Sequence, residues 1–362
     1  MAHQPGEYSY REITTQTEAW RGALEAVSGR RHRLIELFQE GAAGTENQAR
    51  ILFIGCGSTH YLAQFAAAYF QAVTGQICHG LPSSELLLQT DAVVAPREKP
   101  LIVALSRSGE TSETVQAVDK MRRRGANALA ISCHRQTPLA AASTVTVSIV
   151  EGQEESFAQT RSFAGMLVAV QVMAAAVAGD DALTAELVRL PEVGVSVIER
   201  AAELAQIVGP NEGIQRITYL GSSALYGLAN EATVKMKEMS LSSAEGYHFM
   251  EFRHGPMSLV DREHLVVGLV SDRTRGYEVS VLRDLASRGA RILAVGEHVS
   301  DLAGQFEAVF DLESELGERA HPVLYLPLLQ YLAYYRAMGR GLDPDRPRHV
   351  VMAIQLDGTE MV

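Results

Sequence analysis

Short apolar runs alternate with amphipathic stretches along this chain. Residues 101–105 form an unbroken apolar run, which is typical of a strand buried on both faces. Small polar residues follow from 106 to 112, and apolar residues at helical spacing follow from Val115. Similar short runs occupy 51–55 and 129–132. This alternation predicts an α/β fold with parallel sheets that carry helices on both faces.

The second half of the chain repeats the pattern of the first half. Three pairs of stretches correspond: 217–223 with 51–58, 265–269 with 101–105, and 288–295 with 124–131. We therefore predict two tandem, doubly wound domains that arose by internal duplication. The predicted boundaries are an N-terminal helical segment at 1–48, a first domain at 49–195, and a second domain with a C-terminal tail at 196–362. Residues 41–47 are predicted to form a linker.

The junction between residues 101–105 and the following helix is rich in hydroxyl groups. They belong to Ser106, Ser108, Thr111 and Ser112. A helix N-terminus offers free backbone N–H groups and the positive end of the helix dipole, so this geometry suits a phosphate. Neither a Walker A loop nor the glycine pattern of dinucleotide-binding proteins is present. Serine and threonine are also ordinary helix N-caps, so a capped helix after a core strand fits the same residues.

The equivalent junction in the second half has a different composition. Residues 271–275 stand where the first half has residues 106–110. We expect Asp272 to repel a phosphate, because both groups are negatively charged. The sequence therefore predicts one intact phosphate-binding turn per chain.

Composition and charge exclude several classes of partner. The formal net charge of −11 argues against a general nucleic-acid surface and against an anionic membrane surface. The most apolar run, 163–178, is broken by Gln171 and is shorter than the roughly 20 residues of a membrane span, so it predicts a buried helix. Three cysteines without metal-ligand spacing and a polar segment at 1–18 predict no metal site and a cytoplasmic location.

Five further motifs follow one another along the chain. They are Tyr10-Arg11-Glu12-Ile13 with Gln16, Gly55-Cys56-Gly57-Ser58-Thr59, Lys235-Met236-Lys237-Glu238, Arg253-His254-Gly255-Pro256 and Asp345-Arg346-Pro347-Arg348. Together with residues 106–111, this ordered set resembles the sugar isomerase (SIS) domain family. The resemblance is strongest to the isomerase half of glucosamine-6-phosphate synthases and to their stand-alone relatives, which include amino-sugar-phosphate deaminases. It implies two flavodoxin-like SIS domains, a small phosphosugar ligand and no cofactor.

The resemblance also assigns the residues that bind the substrate. Those that resemble the phosphate-binding residues are Ser106, Arg107, Ser108, Thr111 and Thr59. Those that it places in the sugar pocket are Gly57, Ser58, Phe157, Glu251 and Val351. Arg107 stands where the family often has glutamine, and its fixed charge is expected to strengthen the phosphate contact. A solvated arginine beside Glu110 is the alternative interpretation.

Three charged residues, Glu231, Lys235 and Glu238, are spaced to share one helix face. The spacing alone favours a surface ladder of salt bridges. The resemblance instead implies that Glu238 moves a proton between C1 and C2 of an open-chain sugar, while Lys235 compensates charge or positions hydroxyls. It further implies that His254 opens the sugar ring. In the family this histidine enters the site from the neighbouring subunit, so the resemblance implies a homodimer with a shared active site.

One position departs from the pattern of the synthases. Met352 stands where they carry a lysine that forms a Schiff base, and methionine cannot form an imine. The sequence shows no counterpart of their glutaminase domain, so glutamine-driven synthesis is not expected. We therefore predict an isomerase or deaminase that acts on a 6-phosphorylated amino sugar. A plain aldose–ketose phosphate isomerase and a non-catalytic phosphosugar sensor are the alternatives, and neither nucleic acid nor a membrane is expected as a partner.

Overall fold

The computed structural model describes residues 4–42 and 50–356. Ten strands lie within these residues: β1 (Ile51–Gly55), β2 (Cys78–Pro82), β3 (Leu101–Ser106), β4 (Ala128–Ser132), β5 (Val145–Ser148), β6 (Arg216–Gly221), β7 (Ser243–His248), β8 (His264–Leu269), β9 (Arg291–Gly296) and β10 (Ala308–Asp311). The same residues form fifteen α-helices: α1 (Glu7–Thr14), α2 (Gln16–Ser28), α3 (Arg31–Ala42), α4 (Ser58–Thr74), α5 (Ser83–Leu88), α6 (Thr90–Val93), α7 (Ser112–Arg123), α8 (Pro138–Ala142), α9 (Arg161–Ala178), α10 (Asp181–Val188), α11 (Leu190–Val208), α12 (Ala224–Ser240), α13 (Phe249–Phe252), α14 (Arg275–Ser287) and α15 (Leu326–Gly339).

The strands form two five-stranded sheets in which neighbouring strands are parallel. The strand order is β2-β1-β3-β4-β5 in one sheet and β10-β9-β8-β6-β7 in the other. Read from its opposite edge, the second sheet has the same arrangement as the first. Both correspond to the flavodoxin-like order, in which the winding direction changes between the first and third strands. The predicted α/β fold with two doubly wound parallel sheets is confirmed.

Central strands and edge strands differ in how clearly the sequence predicts them. Every residue of β1, β3, β4 and β8 is buried, and a strand buried on both faces needs an apolar residue at nearly every position. The edge strands β2, β7 and β10 are only partly buried and carry polar residues or glycine, so no apolar run predicts them. β5 ends at Ser148, and a single 3₁₀ turn begins at Val150.

One compact unit comprises residues 18–42, 50–154, 161–188 and 351–356, and we call it the first-sheet unit. Its core joins α7 to the sheet through buried apolar side chains: Ile54, Ile102, Ala104, Val118 and Met121. The helices α4 and α9 also pack against this sheet. By length and composition α9 is apolar enough to cross a membrane, but 83% of it is buried inside the protein. It is therefore a core helix, as the interrupted apolar run predicts.

The other compact unit comprises residues 4–17, 155–160 and 189–350, and we call it the second-sheet unit. Its core includes side chains from strands and helices: Leu220, Phe249, Val266, Leu282 and Ile292. The helix α12 packs against β6, β7 and α15, and α11 packs against α15 as well. This unit therefore holds α12, which carries the three charged residues, firmly between the sheet and a second helix.

The N-terminal segment is helical, as predicted, and consists of α1, α2 and α3. The predicted linker at 41–47 is wrong at its first two positions, because α3 continues through Ala42. Residues 43–47 of that linker lie outside the described residues. The predicted domain boundaries stay predictions.

Candidate functional site

The residues predicted to bind phosphate lie at or just after the carboxyl ends of β1 and β3 in the first-sheet unit. These strands are neighbours, and the winding direction of the sheet changes between them. In doubly wound proteins the loops that follow such a strand pair diverge, and ligands bind in the crevice that this leaves. The loop after β3 leads into α7 through residues 106–112, which we call the hydroxyl turn. The topology therefore places this turn where a ligand is expected.

Two serine side chains and one glycine shape the hydroxyl turn. Ser106 Oγ accepts a hydrogen bond from Gly109 N at 3.1 Å, and Ser108 Oγ accepts one from Glu110 N at 3.2 Å. Gly109 has a φ of +68°, and a Cβ on it would approach Thr137 Oγ1 to 2.4 Å. Only glycine therefore fits at this position, both for its backbone conformation and for lack of space.

Several donors of the turn have no hydrogen-bond partner among the residues that the structure describes. They are the backbone N–H groups of Ser108 and Thr111 and the Thr111 hydroxyl. Ser106 and Ser108 use their hydroxyl oxygens as acceptors within the turn, so their hydroxyl protons remain available as donors. Thr111 is the N-cap residue of α7, which adds the positive end of the helix dipole. This set of donors suits a phosphate.

Thr59, the fifth residue predicted to bind phosphate, has a different set of contacts. Its hydroxyl donates to Cys56 O and accepts from Cys56 N, both at 2.9 Å, and the side chain is buried. It thereby holds the turn between β1 and α4. Gly57 in that turn is exposed with a φ of +57°, and Ser58 is the buried first residue of α4.

Arg107 is buried and forms an ion pair rather than facing solvent. Only 5% of its side chain is exposed, and its Nη1 lies 3.2 Å from Oε2 of Glu154, whose side chain is fully buried. Glu154 also accepts hydrogen bonds from the backbone N and the hydroxyl of Ser162 at 3.0 and 2.5 Å. The alternative of a solvated arginine beside Glu110 is therefore wrong. A direct contact of Arg107 with phosphate stays a prediction.

The predicted pocket residues Phe157 and Val351 lie in different compact units. Phe157 belongs to the second-sheet unit, where its backbone N donates to Asp345 O at 2.8 Å and Arg346 lies over its ring. Val351 belongs to the first-sheet unit and is 59% exposed. The structure does not bring these two residues together within one unit.

The buried carboxylate of Glu12 fixes the loop that carries Phe157. It accepts hydrogen bonds from the backbone N atoms of Glu155 and Ser156 at 2.6 and 3.3 Å. It also accepts one from the hydroxyl of Ser156. Because the side chain of Glu12 is fully buried, these bonds satisfy a carboxylate that has no access to water.

The three charged residues of α12 form a partly buried network. Lys235 Nζ lies 2.6 Å from Glu238 Oε2 and 3.5 Å from Glu231 Oε1. The side chains of Lys235 and Glu231 are 1% and 3% exposed, whereas that of Glu238 is 25% exposed. A surface ladder of salt bridges is therefore the wrong interpretation. In this arrangement the carboxylate of Glu238 is accessible to solvent and is paired with the buried ammonium of Lys235.

His254 and Glu251 lie in the segment that follows β7 in the second-sheet unit. Both side chains are exposed, and His254 N donates to Glu251 O at 2.9 Å. Nearby, His248 ends β7 and stacks on Tyr226 with ring centroids 3.8 Å apart. Partial burial lowers the pKa of His248 below its usual value.

The turn of the second-sheet unit that corresponds to the hydroxyl turn is occupied by a carboxylate of its own chain. Glu278 accepts a hydrogen bond from Ser271 N at 2.7 Å and from Thr274 Oγ1 at 2.8 Å. Glu278 is 1% exposed, whereas Asp272 is exposed. Asp272, which is expected from the sequence to repel a phosphate, does not accept these hydrogen bonds; the carboxylate that lies on the donors of this turn belongs to Glu278.

Sequence reasoning did not single out Glu154 or Glu278. Glu278 lies only seven positions after Ser271, so an acidic residue in the first turns of α14 was a usable signal. Glu154 lies 47 positions from Arg107, and no local pattern joins the two. Within residues 4–42 and 50–356, no group of three or more His, Cys, Asp or Glu side chains is arranged to hold a metal ion.

A family model and curated relatives each match most of this chain. The SIS domain family model matches residues 46–176 and 213–336. The chain is 29% identical over 336 residues to a glutamine–fructose-6-phosphate aminotransferase (isomerizing) of Treponema pallidum, covering 85% of this chain and 52% of that protein. A protein of the same name from Pyrobaculum aerophilum is 31% identical over 264 residues, covering 71% of this chain and 44% of that protein. The chain thus spans about half the length of the curated relatives it matches.

Two solved structures are similar over nearly the whole chain. The C-terminal domain of glucosamine-fructose-6-phosphate aminotransferase from Francisella tularensis has a TM-score of 0.85 and 24% identity, covering 94% of this chain and 98% of that one. A glucosamine-6-phosphate deaminase from Thermotoga maritima has a TM-score of 0.73 and 25% identity, covering 92% of this chain and 100% of that one. With two matched segments and this fold, the chain belongs to the SIS domain family.

Proposed function

We propose that the protein is a phosphosugar isomerase or deaminase that acts on a 6-phosphorylated amino sugar. The observation that carries the proposal is the pairing of Lys235 with Glu238, a partly exposed carboxylate beside a buried cation. The family membership and the similarity to isomerizing aminotransferases and to a glucosamine-6-phosphate deaminase support it. The proposal assigns phosphate binding to the hydroxyl turn and proton transfer to Glu238.

Phosphate binding is assigned to the hydroxyl turn. Its open donors are two backbone N–H groups and the Thr111 hydroxyl, with the protons of Ser106 and Ser108 available in addition. A phosphate carries close to two negative charges at neutral pH, and such a donor set at a helix N-terminus stabilises them. The guanidinium of Arg107 adds a positive charge at the base of the turn, although its ion pair with Glu154 offsets part of this charge.

Proton transfer is assigned to Glu238. The carboxylate removes the proton from C2 of the open-chain amino sugar, and the carbonyl oxygen at C1 takes up charge as an enolamine intermediate forms. Return of the proton to C1, together with transfer of an N–H proton to O1 through solvent, produces an imine at C2. Water hydrolyses this imine to a ketose phosphate and ammonia. A positioned carboxylate suits such a step, because the C2 proton is α to a carbonyl. His254 is the residue assigned to ring opening, and it is contributed by a second copy of the chain in the proposed homodimer.

This route does not need a Schiff base with the protein. Met352 stands at the position of the lysine that forms one in the synthases, and it lacks a nucleophilic nitrogen. Hydrolysis of the substrate's own imine proceeds without that group. The substitution is therefore compatible with a deaminase, and it is equally compatible with an isomerase that uses the same proton transfer.

Proton NMR of the protein with glucosamine 6-phosphate in heavy water, with ammonium measured in parallel, tests the proposal. We expect loss of the C2 proton signal together with release of ammonium. Exchange without ammonium would identify an isomerase rather than a deaminase. Binding of the sugar phosphate without exchange would contradict an enzymatic role on this substrate and would favour a phosphosugar sensor.

A further inference from the structure

The C-terminal segment 352–356, which we call the tail, contacts the hydroxyl turn within the first-sheet unit. Ser112, the first residue of α7, makes three hydrogen bonds to this segment. Its backbone N donates to Ile354 O at 3.3 Å, and its hydroxyl donates to Gln355 Oε1 at 3.2 Å. The same hydroxyl accepts from Leu356 N at 3.2 Å. Ser112 is therefore hydrogen-bonded to three consecutive residues of the tail.

Two further contacts tie the tail to other parts of the turn. Gln355 Nε2 donates to Glu110 O at 3.3 Å, so the amide of Gln355 bonds to two residues of the turn at once. At the start of the turn, Arg107 Nη2 donates to Met352 O at 3.5 Å and lies 3.4 Å from Met352 Sδ. Because buried Glu154 holds Arg107 in place, the tail is connected to the body of the unit as well as to the turn.

Apart from Arg107, the groups that the tail binds differ from the groups assigned to phosphate. The tail uses Ser112, the carbonyl of Glu110 and the guanidinium of Arg107. Among the described residues, the backbone N–H groups of Ser108 and Thr111 have no partner, and neither has the Thr111 hydroxyl. The tail therefore holds both ends of the turn and leaves its central donors open. A loop that is held in its binding conformation loses less conformational entropy when the ligand binds.

We propose that Gln355 is a positioning residue for phosphate binding. Its side-chain amide fixes Glu110 and Ser112 relative to each other, and Thr111 lies between these two residues. The inference rests on the proposed role of the hydroxyl turn as the phosphate site. Gln355 does not touch the phosphate in this proposal but acts through the turn.

The test measures binding of inorganic phosphate and of glucosamine 6-phosphate by isothermal titration calorimetry. In Gln355→Ala we expect the Kd of both ligands to rise about three- to tenfold, because two hydrogen bonds to the turn are lost. Where turnover is measurable, KM should rise while kcat changes little. The matched control is Ile354→Ala, because residue 354 contributes only its backbone carbonyl and its side chain is 56% exposed. This control should bind phosphate like the unaltered protein.

The outcomes separate this inference from the proposed function. If the unaltered protein binds neither ligand, the phosphate site itself is wrong and the inference fails with it. If the unaltered protein binds but Gln355→Ala binds equally well, only the positioning role is overturned. Tighter binding by Gln355→Ala would show that the tail competes with phosphate, which also contradicts the proposal. Thermal unfolding without ligand, compared between Gln355→Ala and Ile354→Ala, identifies any general loss of stability.

Discussion

Nζ of Lys235 lies 2.6 Å from Oε2 of Glu238, one turn further along the same helix. The side chain of Lys235 is 1% exposed and that of Glu238 is 25% exposed, so the lysine is buried while its carboxylate partner is accessible to solvent. Lys235 Nζ donates a hydrogen bond to this carboxylate and so fixes its position, and a carboxylate that is held in place suits the role of general base. The proposed chemistry follows from this pair.

Replacement of Glu238 by glutamine should abolish proton transfer while leaving phosphosugar binding in place. The amide retains the size of the carboxylate but cannot accept a proton, and general-base catalysis contributes about 10²- to 10⁴-fold in rate. The measurement is the rate of C2 proton exchange in heavy water, with ligand binding measured alongside. Glu203→Gln on α11, an exposed carboxylate in the same unit, is the control. An unchanged exchange rate in Glu238→Gln would exclude it as the base.

Replacement of Lys235 by methionine should destabilise the protein. The change removes a cation 3.5 Å from the buried carboxylate of Glu231, and removal of one partner of a buried ion pair costs about 3–5 kcal/mol. Urea unfolding measures the free-energy difference. The double variant Lys235→Met with Glu231→Gln should recover part of this loss, since it removes the buried charge too. A single variant as stable as the unaltered protein would show that the ion pair contributes nothing to stability.

Replacement of Thr111 by valine should weaken phosphate binding. Valine has nearly the shape of threonine but lacks the hydroxyl that is open in the structure. A hydrogen bond to a charged group contributes about 1.5–3 kcal/mol, which corresponds to about tenfold or more in Kd. Calorimetry with inorganic phosphate measures this change. Thr184→Val on α10 should have no effect on binding, and an equal loss in both variants would contradict the assignment.

The protein should bind one phosphate per chain. The second-sheet unit has an equivalent turn, but the carboxylate of Glu278 already accepts the hydrogen bonds of Ser271 and Thr274. A phosphate would have to displace this buried carboxylate, and the two negative charges repel each other. The stoichiometry of calorimetric titration with phosphate provides the measurement. A value of two per chain would show that Glu278 leaves the turn.

Acidification below the usual pKa of histidine should reduce stability through His264. Burial lowers the pKa of His264 from its ordinary value of 6.5, and Thr218 Oγ1 lies 2.8 Å from its Nε2. The charged groups that influence it are Arg216, which lowers its pKa, and Asp261 and Glu245, which raise it. Because the unfolded chain takes up the proton first, the contribution is fully present above about pH 6.5 and is lost as the pH falls through the lower, folded-state pKa.

Urea unfolding at about pH 7.5 and about pH 5.5 measures this effect. We expect the free energy of unfolding to decrease on acidification, and the decrease to be smaller in His264→Gln than in the unaltered protein. His79→Gln, which alters an exposed histidine, is the control. Equal pH dependence of His264→Gln and the unaltered protein would show that His264 does not contribute.

The central strands, most of the helices and the hydroxyl turn could be predicted from the sequence. Their signals are local, because a strand buried on both faces is an apolar run and an amphipathic helix repeats its apolar positions every three to four residues. The run at 101–105 and the hydroxyls from Ser106 to Ser112 are adjacent in the chain, so they indicate the candidate site without tertiary information. The edge strand β7 was missed because its residues are half exposed and show no comparable pattern.

The partners of the charged residues required the folded structure. Arg107 meets Glu154 and Met352, which lie 47 and 245 positions away in the chain, and no local periodicity brings such residues together. Lys235 is likewise buried on a helix that packs against both the sheet and α15, whereas its spacing from Glu238 was visible in the sequence. Sequence patterns thus determine which residues share a strand, a turn or a helix face. Burial and charge pairing depend on which of these elements pack together, because long-range contacts set the local dielectric environment and the available partners.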